Sequence, residues 1–256
     1  MYAPHRVAYA GAMRALALAA STLALAGCSG QLAGLRLPGR PGCEAGSVRP
    51  VGTARVAYGA LAPDGAVAYR EPEGAQLARF GPTNVNDYPT VFGVLAERVD
   101  GGCRATWYRV QLPIKPNGST GWVRASAVRL EPVRTRIDVD VSARTLTLYR
   151  SGRVVLTAPV AVGSTATPTP VGRYYVNQRL VPADPNGPFG PAALGVSAYS
   201  NVLTGWAQGG PIGIHGTNEP WSIGRAVSNG CIRLPNTTLE RVFRLAPAGT
   251  PVTIHD

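Results

Sequence analysis

Histidine is scarce in this chain, with three in 256 residues. His5 lies in a basic N-terminal start and His255 is penultimate, so His215 is the one internal imidazole placed to act as a base. Charge is scarce as well: 15% of residues are charged, and no acidic cluster or second His or Cys at ligand spacing accompanies His215. A metal site is therefore not expected. No glycine-rich phosphate cradle and no internal repeat is present, so no cofactor is expected either. Long apolar runs are missing: Ala15–Ala26 has 12 apolar or small residues, against roughly 20 needed to cross a bilayer core of about 30 Å. Helical periodicity is rare, while short β-branched and aromatic runs between turn residues are common. With 45% hydrophobic residues, this describes a folded, mainly β protein.

What is present concentrates near the C-terminus. From His215 to Leu234 the chain places an imidazole, the thiol of Cys231 and the guanidinium of Arg233 within twenty residues. A thiol at its free pKa is only a few per cent thiolate at neutral pH, so a nucleophilic cysteine needs a base or cation beside it. His215 and Arg233 supply both. Gly230 leaves room for two successive backbone N–H groups to converge on a tetrahedral oxyanion, and Gly213 and Gly216 free the backbone around His215. The order also excludes other thiol enzymes. His215 precedes Cys231 by sixteen residues, whereas papain-like and NlpC-like hydrolases run Cys before His, and sortases separate the pair much further.

The pattern His215-Gly-Thr, a loop, then Ser228-Asn-Gly-Cys-Ile-Arg233 resembles the catalytic signature of the YkuD-type L,D-transpeptidases. Ile137–Tyr149, Val160–Gly163 and Thr167–Val176 resemble the opening strands and Pro-Gly turn of the same domain, so the likeness covers roughly residues 134–256. It implies a cysteine acyltransferase acting on peptidoglycan stem peptides. Cys231 is the implied nucleophile, His215 the base, and the Gly230 and Cys231 amides the oxyanion donors, with Asn229, Ser228 and Gly216 as further oxyanion or orienting residues. Arg233 is the implied stem-peptide contact, with Tyr199, Trp206 and Trp221 as candidate substrate walls. The product implied is a 3→3 cross-link, and carbapenems are implied to acylate the same thiol. One position departs: the residue before Gly230 is often His in the family and is Asn229 here, which bears on thiolate tuning. Two alternatives stay open, an L,D-carboxypeptidase that passes the thioester to water, and an inactive wall-binding lipoprotein.

The N-terminus places the chemistry outside the cytoplasm. Arg6 and Arg14 precede the short apolar run, which ends Leu25-Ala-Gly-Cys28, resembling a lipoprotein cleavage and lipidation box. Residues 1–27 are read as the signal and Cys28 as the lipidated residue, against an ordinary cleaved signal with a chance cysteine. Residues 28–46, rich in Gly and Pro, read as a tether. The expected setting is a membrane-anchored lipoprotein facing wall or periplasm. Cys43 and Cys103 remain, either as a disulfide pair or as two free thiols. Net charge is +11, nearly all arginine and spread without a cluster. Export makes nucleic acid an improbable partner, and a cationic surface suits a polyanionic wall or anionic headgroups.

Two domains fit the length. Residues 47–131, ending in Trp107–Leu112, an Asn117-Gly118 turn and Gly121–Arg124, resemble a bacterial SH3-like β-barrel. Trp107, Tyr108 and Trp122 there serve either a ligand groove or packing. Residues 134–256 are expected to form the YkuD-type β-sandwich catalytic domain. Its turn-rich Val181–Pro191 reads as a flap or rim. A short helix is expected over Asn236–Leu245, capped by Asn236, with Leu239, Val242, Phe243 and Ala246 on one face, followed by a closing strand at Pro251–Ile254.

Overall fold

Short β-branched and aromatic runs cut by Gly and Pro become short strands, and among the described residues these assemble into two sheets of eight. The computed structural model describes residues 42–256. The signal, Cys28 and residues 28–41 of the tether lie outside the described residues.

The N-terminal sheet holds β1 (Val48–Pro50), β2 (Ala57–Leu61), β3 (Ala66–Tyr69), β4 (Gln76–Phe80), β5 (Val91–Val99), β6 (Ala105–Gln111), β7 (Thr120–Arg124) and β8 (Arg129–Val133). Every pairing in it is antiparallel, in the order β4-β3-β7-β6-β5-β2-β8, with β1 added to β5. Its core is small side chains around Phe92, Val110, Leu112 and Val123. Trp107 and Trp122 are buried, so packing rather than an open groove holds them. Tyr69 meets Trp107 edge-on at 5.4 Å, and Arg124 lies over the Trp107 ring at 4.6 Å. Cys43 and Cys103 form a disulfide, their Cα atoms 5.1 Å apart.

The second sheet contains β9 (Thr135–Asp140), β10 (Thr145–Arg150), β11 (Arg153–Pro159), β13 (Gly172–Leu180), β14 (Ala193–Tyr199), β15 (Pro211–His215), β17 (Ile232–Arg233) and β18 (Pro251–His255). Beside it, β12 (Val162–Gly163) pairs in parallel with β16 (Ala226–Ser228). The order is β11-β10-β9-β18-β13-β14-β15-β17, with β9–β18 and β15–β17 parallel and the rest antiparallel. Among the described residues, the expectation of a mainly β protein with one short helix holds. The strands of this part form one mixed sheet, where two facing sheets of a sandwich were expected. The reason lies in β18, which returns from the C-terminus to sit between β9 and β13 and joins what would otherwise be two sheets.

The helix α1 spans Asn236–Leu245, as the periodicity predicts. Leu239, Val242 and Ala246 are fully buried against Ile214 and Ile232, and each large apolar side chain so buried contributes roughly 1.5–3 kcal/mol. The cap differs from expectation. Pro235 holds the cap position without a side-chain bond, and Asn236 is the first helical residue. Its Oδ1 instead accepts the Thr217 N–H at 2.8 Å, because the loop after His215 passes directly over the helix start.

The two sheets meet along β13. Tyr175, fully buried, donates its hydroxyl to the Val91 carbonyl at 3.0 Å and lies over Gly93, where a Cβ would come within 3.0 Å of the ring. Asn117 Nδ2 donates to the Tyr199 carbonyl at 2.7 Å, and its Oδ1 accepts the Tyr199 N–H at 2.9 Å. Further along, Gly249 at φ +86° packs on Gly59, and a Cβ on Gly249 would stand 2.6 Å from the Gly59 Cα. Gly249→Ala is expected to destabilise the protein by about 2 kcal/mol, the combined cost of a left-handed backbone and a displaced seam. Urea denaturation of the purified chain measures it, and an unchanged midpoint would contradict this account of the seam.

Candidate functional site

Parallel pairing of β15 with β17 sets Ile214 opposite Ile232 and His215 opposite Arg233. Both isoleucines are fully buried, so the apolar faces fix the register and leave the alternate face for chemistry. On that face, His215 and Cys231 line one cavity of about 580 Å³. Gly213 shares the lining, and its backbone N–H bonds the Cys231 sulfur. Leu180, Val181, Phe189 and Trp206 supply apolar wall. The turn-rich segment expected as a rim does line the cavity, and Phe189 from it meets the His215 ring edge-on at 5.0 Å.

His215 is buried, and its Nδ1 lies 2.6 Å from the Gly216 carbonyl. A carbonyl only accepts, so Nδ1 carries the proton and Nε2 keeps its lone pair. Gly216 therefore orients the imidazole through its carbonyl. Any side chain at 216 would collide with Asn236 Oδ1, 2.3 Å from the Cβ position. Burial lowers the His215 pKa from 6.5 to about 4, the Gly216 bond opposes this, and Arg233 adds to the lowering. The Cys231 thiol is pushed above its ordinary value by burial, while a bond from the Gly213 N–H and the Arg233 charge pull the other way. Imidazole and thiol are thus both neutral at pH 7.

The turn that carries Cys231 is held on both sides. Ser228 Oγ donates to the Cys231 carbonyl at 2.6 Å and accepts the Gly230 N–H at 3.1 Å. Ser228 is buried and makes the local turn bond, and the Gly230 amide expected to face an oxyanion is given to it in this geometry. Gly230 has φ +108°, a conformation that favours glycine. Thr169 Oγ1 donates to the Gly230 carbonyl at 2.9 Å and Thr167 Oγ1 to the Ser228 carbonyl at 2.9 Å. The Thr-Pro-Thr-Pro segment is therefore a clamp on the Cys231 turn. Asn229 is exposed at its tip.

Arg233 forms an ion pair with Glu219 and lies outside the cavity lining. Its strand bonds run both to β15 and to Ala161. Of the three aromatic wall candidates, Trp206 lines the cavity. Tyr199 sits at the seam, its hydroxyl donating to the Pro113 carbonyl at 2.7 Å, and Trp221 is exposed with Arg225 above its ring. Sequence reasoning missed Glu219, Thr167, Thr169 and the Asn236 amide as supports of the site. Only Glu219 carried a signal, an acid within the loop between His215 and Cys231.

The His215 pKa has a consequence for stability. Between pH 6.5 and about 4 the unfolded chain binds a proton that the folded site refuses, so folding stability falls as pH drops through that window. The expected loss is about 3 kcal/mol for the wild type relative to His215→Gln, read from denaturation midpoints at pH 7 and pH 4. Equal loss in both proteins would contradict a buried neutral imidazole.

Residues 134–254 match the family model of the L,D-transpeptidase (YkuD) catalytic domain. The YkuD protein of Bacillus subtilis (strain 168) is 43% identical over 119 residues, 46% of this chain and 65% of that one. L,D-transpeptidase 1 of Mycobacterium tuberculosis is 26% identical over 186 residues, 57% of this chain and 70% of that one. The chain thus spans just under two thirds of the first of these relatives. The solved catalytic domain of an E. faecium L,D-transpeptidase aligns at 26% identity over 47% of this chain and 96% of that one, with a TM-score of 0.35, too loose to add to the sequence match. By this match, residues 134–254 belong to the L,D-transpeptidase (YkuD) catalytic-domain family.

Proposed function

We propose that this protein is a peptidoglycan L,D-transpeptidase that forms 3→3 cross-links through a thioester on Cys231. The observation that carries the reading is that His215 and Cys231 line one cavity, within the segment that matches the family model. The lowered His215 pKa and the raised Cys231 pKa disfavour a preformed thiolate–imidazolium pair. Proton transfer therefore accompanies attack. His215 Nε2 takes the thiol proton as sulfur bonds to the carbonyl carbon of the donor stem. The C–N bond then breaks, and the proton passes from Nε2 to the departing D-amino acid, leaving a thioester. An amine on a neighbouring stem attacks that carbonyl, gives a proton to Nε2, and the C–S bond breaks as the thiol is restored.

The roles of the remaining residues follow from their partners. The Cys231 and Asn229 amides are the oxyanion donors in this reading, since Ser228 engages the Gly230 amide. Arg233 acts from behind the cavity, holding Glu219 and thereby the His215 loop, and adding positive potential at sulfur. The first sheet, with its hairpin turn at Asn117-Gly118, is read as an SH3-like module. The Cys28 anchor and an extracytoplasmic, wall-facing setting complete the proposal, and the Cys43–Cys103 disulfide supports export.

The test is the intact mass of the purified protein after exposure to meropenem. Wild type is expected to gain one adduct and Cys231→Ala none, and an adduct that persists in the variant would overturn the assignment. His215→Gln should slow adduct formation at least 100-fold, as loss of a general base does. The wild-type rate should hold from pH 7 to about pH 5 and fall only as His215 protonates near pH 4. With stem peptides, cross-linked dimer is the expected product when an amine is supplied, and free tripeptide alone would identify a carboxypeptidase.

A further inference from the structure

A second cavity, of about 510 Å³, lies at the seam between the two sheets. It shares Asn86, Gln178, Gln208 and Pro211 with the Cys231 cavity, so the two adjoin along one rim. Their chemistry differs. The Cys231 cavity is walled mainly by apolar side chains, whereas amide side chains converge at the seam. Asn84 and Asn86, on the loop between β4 and β5, donate to Gln178 Oε1 at 2.8 and 2.9 Å. Gln208 Nε2 donates to Asn86 Oδ1 at 3.1 Å. These bonds hold the amides in place as a polar wall, and Arg79 lines the same cavity with a guanidinium suited to carboxylate.

One group in the cluster is unsatisfied. Asn177 lines the cavity, and its Oδ1 is buried without a hydrogen-bond partner. Asn177 falls where the β13–β14 register shifts between Val176 and Gln178, a bulge that re-aims its side chain. Gly195 opposite permits this, since a Cβ there would stand 2.8 Å from Asn177 Oδ1 and 2.4 Å from Gln178 Cγ. Turning the amide about its soft torsion would only exchange the bare oxygen for a bare N–H, so the side chain meets a ligand in the seam cavity through its other amide atom, Nδ2.

We propose that the seam cavity binds the acceptor stem: a peptide whose backbone groups meet Asn177 and the neighbouring amides, whose carboxylate meets Arg79, and whose free amine reaches Cys231 past Gln178 and Gln208. This rests on the thioester reading above. A donor acylated on Cys231 fills the apolar cavity, and the second substrate needs a separate, connected approach. The N-terminal sheet is then part of the substrate site through Arg79, Asn84 and Asn86.

The test titrates a synthetic acyl-tripeptide ending in a diamino acid with a free side-chain amine into the Cys231→Ala protein, by calorimetry. Adding Asn86→Ala or Asn177→Ala should weaken binding by about tenfold each, the loss of one buried hydrogen bond to a ligand. In the Cys231-containing protein, the same substitutions should lower the ratio of amine transfer to hydrolysis by a similar factor, with the acylation rate measured alongside as a control for fold. The proposal is overturned if the tripeptide does not bind, or if affinity is unchanged in both variants. It is also overturned if a peptide-free N-acetylated disaccharide binds as tightly and loses affinity through the same substitutions, or if acylation and transfer fall in parallel. Absence of any thioester on wild type would instead defeat the transpeptidase reading, and the calorimetric result stands apart from it.

Discussion

Two parallel residues of β17 against β15 hold the site together. Ile214 and Ile232 face the helix and the core, and their burial decides which way His215, Gly213 and Cys231 point. A slip of one residue would turn the imidazole into the core and an isoleucine into the cavity. Such a short ladder cannot specify its register alone. It is backed by Leu239 and Val242 of α1 on one side and by the Ala161–Arg233 bridge on the other. The Thr167 and Thr169 hydroxyls then fix the turn from which the thiol projects.

The electrostatics of the site follow from its dryness. Apolar walls penalise both imidazolium and thiolate, so the two groups sit neutral, and in the proposed reaction they exchange a proton only when substrate supplies a place for the charge. Arg233 favours the thiolate, but burial outweighs it. Tyr175 provides a second form of order. Its ring over Gly93 and its bond to Val91 register the N-terminal sheet on the strand that carries Asn177 and Gln178.

Legibility in the sequence followed the range of the interaction. His215 and Cys231 were readable because scarcity left few candidates and their order matched one chemistry. The helix was readable because Leu239, Val242 and Ala246 recur at 3.6-residue spacing, which depends on nothing distant. Asn236 looked like a cap by the same local logic, and lost that role to Thr217, nineteen residues away. Tyr199 resembled a substrate wall, yet its hydroxyl is spent on Pro113, 86 residues distant. The union of strands into one mixed sheet was invisible for a related reason: alternation along Pro251–His255 reads the same whether its neighbour is β9 or any other strand.

The disulfide gives the fold a direction in which it resists being pulled. β1 is three residues long and pairs only with β5, a ladder that would unzip residue by residue if drawn from its end. Cys43 precedes it and is bonded to Cys103, in the turn between β5 and β6. Tension entering along the chain before Cys43 is therefore delivered across a covalent bond into the longest hairpin of the sheet, where many hydrogen bonds must shear at once. The strand nearest the load is the one that carries none of it.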